Sequence, residues 1–322
     1  MCLDAFVEGA ATSDNKAYQK SPVLRIGIRM ASTIVGQSGR VYIQREVLQE
    51  RKDPRLNIFK AESQDQSFVF KRVSKPFFDL SLRLAAEFPN SRRLRMHVDL
   101  NEDENVLIYP YYQHTLLALL QEDSNVSDAA RKKILLRTGE AIQDFTARIG
   151  FILPDNILVN WTRDEEGTKI CETGALIWST HAVGNAMWRS PEGQTGRGMC
   201  KASDIYSFGL VVILLLNDYS YLVEHGIPPE QAVLTRHFAY FGSANEGLLK
   251  HVDSDTWSEA LKSASQVAEE TLQEQPVMSF DVWGHELGTE AQKMIAGMTR
   301  IDPRARLTID QVMAHAWWQE VV

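Results

Sequence analysis

The sequence predicts an α+β chain in two parts, a small antiparallel sheet followed by a larger, mainly helical region. Between residues 41 and 112, short segments rich in β-branched and aromatic residues alternate with polar, turn-forming stretches. After Thr115, apolar residues recur at a spacing of about 3.6, which is typical of amphipathic helices. One uncharged apolar run, 208–216, has no polar face and therefore predicts a deeply buried helix.

The composition excludes several classes of protein. A formal net charge of -8 on 322 residues argues against a nucleic-acid partner, although Arg92, Arg93 and Arg95 form a local basic patch. Three cysteines without metal-ligand spacing indicate a reducing compartment, so we expect an intracellular location, cytoplasmic or nuclear. The longest uncharged apolar run is far shorter than the roughly 20 residues that cross a bilayer, and we expect no membrane partner.

Three regions follow from the pattern. Residues 1–40 lack sustained periodicity and predict a loosely ordered N-terminal extension, in which 23–28 is the one candidate strand. Residues 41–112 predict five strands, with a helix after the third of them. The predicted strands are 41–48, 58–61, 67–73, 94–99 and 106–112, and the predicted helix is 77–88. The boundary with the third region, 113–322, is predicted near 110–113.

The third region predicts a series of helices. Ser203 and Asp204 precede the apolar run and predict an N-terminal cap for its helix. Thr308 and Gln311 have the spacing of a capping box. The predicted helices are 115–121, 128–146, 208–216, 231–238, 257–270, 289–298 and 308–318.

Four short motifs stand in one order along the third region. They are Pro-Asp-Asn-Ile-Leu-Val at 154–159, Trp-Arg-Ser-Pro-Glu at 188–192, Ser-Asp-Ile-Tyr-Ser-Phe-Gly at 203–209 and Asp-Pro-Arg-Ala-Arg at 302–306. Together they resemble the C-terminal lobe of eukaryotic protein kinases of the Ser/Thr type, and 185–196 is similar to fungal kinase-domain proteins. The resemblance implies a bilobal kinase-like fold, with an N-lobe at 41–112 and a C-lobe at 113–322.

The catalytic loop departs from the family pattern. The family has His-Arg-Asp-x-Lys-Pro-x-Asn where this chain has Ile-Gly-Phe-Ile-Leu-Pro-Asp-Asn at 149–156. Phe151 therefore stands at the position of the catalytic aspartate and Leu153 at that of the lysine, while Asn156 is retained. Because phenylalanine can neither accept a proton nor hydrogen-bond a hydroxyl, we find no convincing catalytic residue.

The resemblance also implies a nucleotide site. Lys71, in Phe-Val-Phe-Lys, is the candidate phosphate-binding lysine, with Glu87 as its partner; the alternative is an edge-strand lysine facing water. Tyr111 and Asn156 complete the nucleotide-binding candidates. The loop at 50–57 contains no glycine to close over phosphates, though its Arg51, Lys52 and Arg55 carry charge, and 36–39 contains glycines but precedes the strand. We therefore expect weak ATP binding.

The metal site is equally incomplete. Glu172, in Glu-Thr-Gly, takes the place of the family's Asp-Phe-Gly aspartate, and with Asn156 it forms a weak candidate pair of ligands. Magnesium tolerates the longer glutamate side chain badly, so we expect poor magnesium binding. The alternative is a surface glutamate before a glycine turn.

The structural residues of the family are intact. Glu192 and Arg306 predict a buried ion pair, and Asp204 resembles the residue that braces the catalytic loop. We therefore expect a pseudokinase that acts by binding an unidentified protein partner or a nucleotide. Two alternatives stay open. One is an active ATP-dependent Ser/Thr kinase with an atypical catalytic loop, or with a transcript that differs there. The other is a small-molecule phosphotransferase of related fold.

Overall fold

The computed structural model describes residues 32–89, 93–122, 126–144, 152–163, 165, 169–176, 186–216 and 230–320. The candidate strand at 23–28 lies outside them. The chain divides into two compact units, Met1–Tyr112 and Gln113–Val322, which we call the N-unit and the C-unit. Each is described separately below.

The N-unit contains an antiparallel sheet and one helix, in agreement with the predicted fold class. The sheet has six strands in the order β1-β2-β3-β4-β6-β5. The strands are β1 (Thr33–Val35), β2 (Val41–Gln49), β3 (Ile58–Ser63), β4 (Gln66–Arg72), β5 (Asp99–Asn101) and β6 (Val106–Pro110); the helix, α1, is Lys75–Glu87.

Two expectations for the N-unit are wrong. The sheet has six strands rather than five, because β1 lies within the segment predicted as a loosely ordered extension. The predicted strand 94–99 is interrupted by a tight turn, in which the Met96 N–H donates to the Leu94 carbonyl oxygen at 2.9 Å. The strand β5 begins only at Asp99.

Alternation of side chains builds the core of the N-unit. The strand β3 buries every second residue, and it contributes Phe59 and Ala61 to an apolar cluster. The other members of this cluster are Ile34, Tyr42, Phe68, Phe70, Val106 and Ile108. Helix α1 packs through Phe78 against Leu100 and Leu107, which form a second cluster.

The two outer strands of the sheet are joined to each other. The Gln37 N–H donates to the Leu100 carbonyl oxygen at 2.7 Å, and Asn101 Nδ2 donates to the Val35 carbonyl oxygen at 2.9 Å. Asp99 is buried here and accepts hydrogen bonds from Tyr42 Oη at 2.9 Å and from the Ser38 side chain. These bonds hold the β1–β2 hairpin against β5.

The C-unit combines a small sheet with many helices. Antiparallel pairing joins β7 (His114–Thr115), β8 (Ile157–Arg163) and β9 (Lys169–Leu176), none of which was predicted. The helices are α2 (Leu116–Glu122), α3 (Asp128–Asp144), α4 (Pro191–Thr195), α5 (Lys201–Leu216), α6 (Glu230–Phe241), α7 (Glu246–Val252), α8 (Asp255–Glu274), α9 (Phe280–Trp283), α10 (Thr289–Met298) and α11 (Ile309–Met313).

Helix α5 is deeply buried, as the apolar run predicts. Of its 16 residues 12 are buried, against 7 of 17 in α3, so it is the most buried of the described helices of ten residues or more. The predicted cap is wrong in position, because α5 begins at Lys201 and Ser203 and Asp204 lie inside its first turn. Ser203 Oγ instead accepts from the Cys200 N–H at 3.1 Å.

The predictions for the last helix of the C-unit are confirmed in part. The predicted capping box at Thr308 and Gln311 is confirmed, with both reciprocal hydrogen bonds present. The predicted helix 308–318 is divided into α11 and a 3-10 turn at Ala316–Gln319.

Within the described residues, no helix has both the length and the apolar character needed to span a membrane.

Candidate functional site

The catalytic-loop segment is apolar and buried from 152 to 154. Phe151 lies outside the described residues. Ile152 and Leu153 follow it and are 0% and 4% exposed. The chain then makes a 3-10 turn at Pro154–Asn156, in which the Asn156 N–H donates to the Leu153 carbonyl oxygen at 2.9 Å. The side chain at the family's lysine position is therefore a core leucine, which brings no charge to the loop.

Two polar residues follow in the same turn. Asp155 is partly buried, and this burial raises the pKa of its carboxyl group. Asn156 is also partly buried and is engaged in interactions with its surroundings. Of the carboxyl groups that the structure describes, that of Asp155 is the nearest in sequence to position 151, where the family has its catalytic aspartate.

The two candidate metal ligands are not brought together. In the pairing of β8 with β9, Leu176 lies opposite Ile157, the residue after Asn156. Glu172 lies four residues further back along β9, roughly 13 Å at the rise of a strand, at a break in the register between Asn160 and Trp161. The described residues contain no group of three or more His, Cys, Asp or Glu side chains placed to hold a metal ion. The residues present do not fit a magnesium site built on Asn156 and Glu172.

Lys71 is an interior residue of the N-unit sheet. It lies on β4 opposite Ile58 of β3 and Leu107 of β6, so the edge-strand alternative is wrong. Its ammonium group lies 5.1 Å from the centroid of the Phe77 ring. Burial, together with the nearby Arg51 and Arg95, lowers the pKa of Lys71 to about 8.

The predicted ion pair between Lys71 and Glu87 is not formed. Glu87 is the last residue of α1 and is exposed to solvent. Phe77, which the Lys71 ammonium contacts, lies ten residues earlier, roughly 15 Å along the axis of the same helix. Among the residues that the structure describes, no carboxylate forms an ion pair with Lys71.

The positive charges of two arginines, Arg51 and Arg95, contribute to the lowered pKa of Lys71. Arg51, in the β2–β3 loop, donates from its Nη2 to Gln49 Oε1 at 3.0 Å and from its backbone N–H to Asn57 Oδ1 at 2.7 Å. Arg95 donates from its Nη2 to the Pro110 carbonyl oxygen at 3.0 Å, and its guanidinium lies 5.2 Å from the Tyr109 ring centroid.

The sequence does not show that Arg51 comes close to Lys71. The strand register explains the closeness, because Gln49 lies opposite Ile58, which in turn lies opposite Lys71. The β2–β3 loop therefore begins at the end of the sheet where Lys71 stands. Strand pairing over this distance leaves no local signal in the sequence.

Tyr111, the remaining nucleotide-binding candidate, belongs to the N-unit. The Lys60 ammonium lies 4.7 Å from the centroid of its ring. Partial burial, and then the negative charge of Glu46, raise the pKa of the Tyr111 hydroxyl. One face of this ring is thus already in contact with a cation of the same sheet.

The Glu192–Arg306 ion pair is confirmed. Both side chains are 0% exposed, and Arg306 donates from Nη1 to Glu192 Oε1 at 2.6 Å and from Nη2 to Oε2 at 2.8 Å. Ser203 Oγ also donates to Glu192 Oε1, at 2.7 Å, and the Arg306 guanidinium lies 4.8 Å from the Tyr206 ring centroid. Asp204 is buried in the first turn of α5. Its predicted role as a brace concerns the catalytic loop at 149–156, of which 149–151 lie outside the described residues, and this role stays a prediction.

Comparison with known proteins gives the family. No curated protein matches the chain. A family model described as protein kinase domain matches residues 94–318, which is well over half of the chain. The match begins after α1, so Lys71 and Glu87 precede it, whereas it includes the loop with Leu153 and the Glu192–Arg306 pair. The chain belongs to the protein kinase domain family.

Proposed function

We propose that this chain is a catalytically impaired member of the family, a pseudokinase, which acts by binding a protein partner or a nucleotide. The observation that carries the proposal is the replacement of two catalytic-loop residues by apolar ones: Phe151 stands in the sequence where a carboxylate is needed, and the buried Leu153 stands two residues later. Protein kinases use that carboxylate to accept the proton of the substrate hydroxyl.

Two further observations support the proposal. Lys71 forms no ion pair with a described carboxylate, whereas an active kinase needs its lysine paired with a glutamate of the following helix. Glu172 lies too far along β9 to share a metal ion with Asn156. Loss of a single acid–base or positioning group costs about a hundredfold or more in rate. Several are lost together here.

A phosphotransfer assay tests the proposal. The purified chain is incubated with labelled ATP, Mg²⁺ or Mn²⁺ and a generic protein acceptor, beside a Lys71→Met variant as the matched control. We expect no labelling above background for either protein. Labelling by the unaltered chain that disappears in Lys71→Met would refute the proposal.

One observation favours an active enzyme with a relocated base as the second candidate. Burial raises the pKa of the Asp155 carboxyl, and this residue directly precedes the retained Asn156. If the chain does transfer phosphate, this candidate requires that Asp155→Asn abolishes transfer. Its rate would also rise with pH through the pKa of Asp155.

A further inference from the structure

We propose that the outward side of α8 and the turn after it bind a basic, amphipathic segment of a partner protein. The inference deepens the proposed function, and it rests on the part of that function that concerns binding a protein. It concerns Val267, Glu270 and Glu274 of α8, Val277 of the following 3-10 turn and Val282 of α9. We call these five residues the acidic face.

The segment that contains the acidic face holds almost all of the chain's net charge. Residues 242–288 contain nine acidic and two basic residues, so they carry a net charge of -7 out of -8 for the whole chain. All nine acidic residues are exposed, and within the part of the chain that the structure describes only Glu246 of them forms an ion pair, with Lys250. Such a charge attracts a cationic partner, and it repels nucleic acid and a second copy of the same surface.

The acidic residues at the end of α8 lie where a helix accommodates them poorly. Glu270 and Glu274 are one turn apart, so their like charges are neighbours, and the last turn of α8 contains no basic residue. The negative end of the helix dipole lies at the same place. The Gln266 side-chain amide donates to Glu270 Oε1 at 3.3 Å, a contact that leaves the charge in place. A cation from a partner would relieve both repulsions, which is why this end of α8 favours a basic ligand.

Exposed valines give the acidic face its apolar part. Val267 precedes Glu270 and Glu274 by three and seven residues, so the three side chains share one side of α8. Val267 and Val282 are 47% and 44% exposed, and Val277, at 68%, is the most exposed large hydrophobic residue that the structure describes. Apolar side chains left in water among carboxylates suit a ligand that carries both lysine or arginine and apolar residues.

Packing behind the acidic face holds it in shape. The opposite side of α8 contributes Leu261, which is fully buried, to an apolar cluster that also contains Phe238 of α6. Trp283 of α9 donates from Nε1 to the Met278 carbonyl oxygen at 3.1 Å, and this bond fixes the turn that carries Val277. A surface that is already formed loses little conformational entropy when a partner binds.

A divalent cation fits the acidic face less well than a peptide does. Among the residues with a described structure, no three His, Cys, Asp or Glu side chains are placed to hold a metal ion together. The exposed valines would also gain nothing from a metal ion, whereas an amphipathic peptide would cover them. The donor set and the apolar residues therefore point to the same occupant.

Fluorescence anisotropy of labelled peptides, titrated with the full chain, tests the proposal. The probes are a synthetic amphipathic helix of lysine and leucine, the same peptide with glutamate in place of lysine, and oligolysine of equal length. We expect the lysine–leucine peptide to bind, oligolysine to bind several-fold more weakly, and the glutamate peptide not to bind. Failure of the lysine–leucine peptide to bind, or equal binding of oligolysine, would overturn the proposal.

Variants with a matched control locate the site. A Glu270→Gln/Glu274→Gln double variant should weaken binding of the lysine–leucine peptide about fivefold. Val277→Ser should weaken binding of that peptide by a similar factor and leave oligolysine binding unchanged. The control is Asp255→Asn/Glu259→Gln, which removes two exposed charges from the other end of α8 and should change the affinity less than about twofold. Equal losses in the two double variants would show unspecific attraction to a negative chain and contradict the proposal.

The urea midpoint separates a binding role from a structural one. Glu270→Gln/Glu274→Gln removes the repulsion between the two carboxylates and from the helix dipole, so it should raise the midpoint followed by tryptophan fluorescence while it weakens peptide binding. A lowered midpoint would mean that these carboxylates stabilise the fold, and it would contradict the proposal.

Two further results are decisive. Self-association of the chain in sedimentation velocity that Val277→Ser abolishes would identify a second copy as the occupant and refute a basic partner. Failure of the acidic face and failure of the proposed function are also distinguishable. Absence of both peptide binding and phosphotransfer would remove the acidic face and leave a pseudokinase that acts through another surface. Phosphotransfer by a chain that binds the peptide would remove the pseudokinase and keep the acidic face.

Discussion

Replacement of Glu192 by glutamine is expected to destabilise the C-unit severely. The change keeps the size of the side chain and one acceptor oxygen but removes its charge. Arg306 would then remain fully buried without a counter-ion, still donating to the carbonyl oxygens of Arg300, Ala202 and Ile301. A buried charge that loses its partner costs much more than the net contribution of the pair.

The magnitude follows from the burial. Removing one partner of a buried ion pair costs about 3–5 kcal/mol, against a total unfolding free energy of about 5–15 kcal/mol for a domain. With a urea m-value of about 2 kcal/mol per molar, the unfolding midpoint should fall by about 2 M. Arg304→Gln is the matched control, since Arg304 belongs to the same Asp-Pro-Arg-Ala-Arg motif but is exposed, and its cost should stay within about 0.5 kcal/mol.

Tryptophan fluorescence is a specific probe for this unfolding. All seven tryptophans of the chain follow Gln113, so the signal reports on the C-unit alone. If Glu192→Gln shifts the urea midpoint no more than Arg304→Gln does, the ion pair does not stabilise the fold as reasoned. A Glu192→Gln/Arg306→Met double variant supplies a second check, since its loss should be smaller than the sum of the two single losses.

Three other outcomes are expected. Burial alone would raise the pKa of Glu192, but Arg306 holds this pKa below its ordinary value. The contribution of the ion pair to stability is therefore complete above about pH 4.3 and is lost at lower pH. Acid unfolding followed by tryptophan fluorescence should lack this pH-dependent loss in Glu192→Gln. Gly36→Ala would place a Cβ against the Asp99 carboxylate, at a cost of about 1–3 kcal/mol, so the amide hydrogens of β1 should exchange faster; unchanged exchange would contradict the packing. Thr308→Ala removes the capping box of α11 and should cost about 1 kcal/mol in urea unfolding, a loss that Thr308→Ser should restore.

Local patterns predict the elements whose causes are local. The alternation along 58–61 suffices for β3, because that strand buries every second residue, and the uncharged run 208–216 suffices for the buried end of α5. The strand β1 is different, since it has three residues and its hairpin is held by Asp99, which lies 61 residues after Ser38. A strand fixed by a partner so far along the chain has no signature in its own sequence.

Among the candidate site residues, too, some contacts are predictable from the sequence and others are not. The Glu192–Arg306 pair is predictable, because each partner stands in a recognisable motif and the family fold joins the two motifs. The partner of Lys71 is not predictable from its separation from Glu87 in the sequence, because that separation does not give the direction of α1. Lys71 contacts Phe77 near the start of α1, and Glu87 lies at the other end of this helix. Ser203 shows a third case, in which a residue typical of a cap instead donates to Glu192 from inside the helix.

The hydrogen bonds between the β1–β2 hairpin and β5 also bear on solubility. An outer strand with unpaired backbone N–H and C=O groups is a template for pairing with another chain. Here the Gln37 backbone N–H and the Asn101 side-chain amide donate to the backbone carbonyl oxygens of Leu100 and Val35, which joins the outer strands to each other. A chain shortened to begin at residue 41, where the alternating pattern starts, would lose β1 and leave β2 as an open edge that carries the exposed Val41 and Val47. Such a chain should self-associate through that edge, while the longer chain stays dispersed.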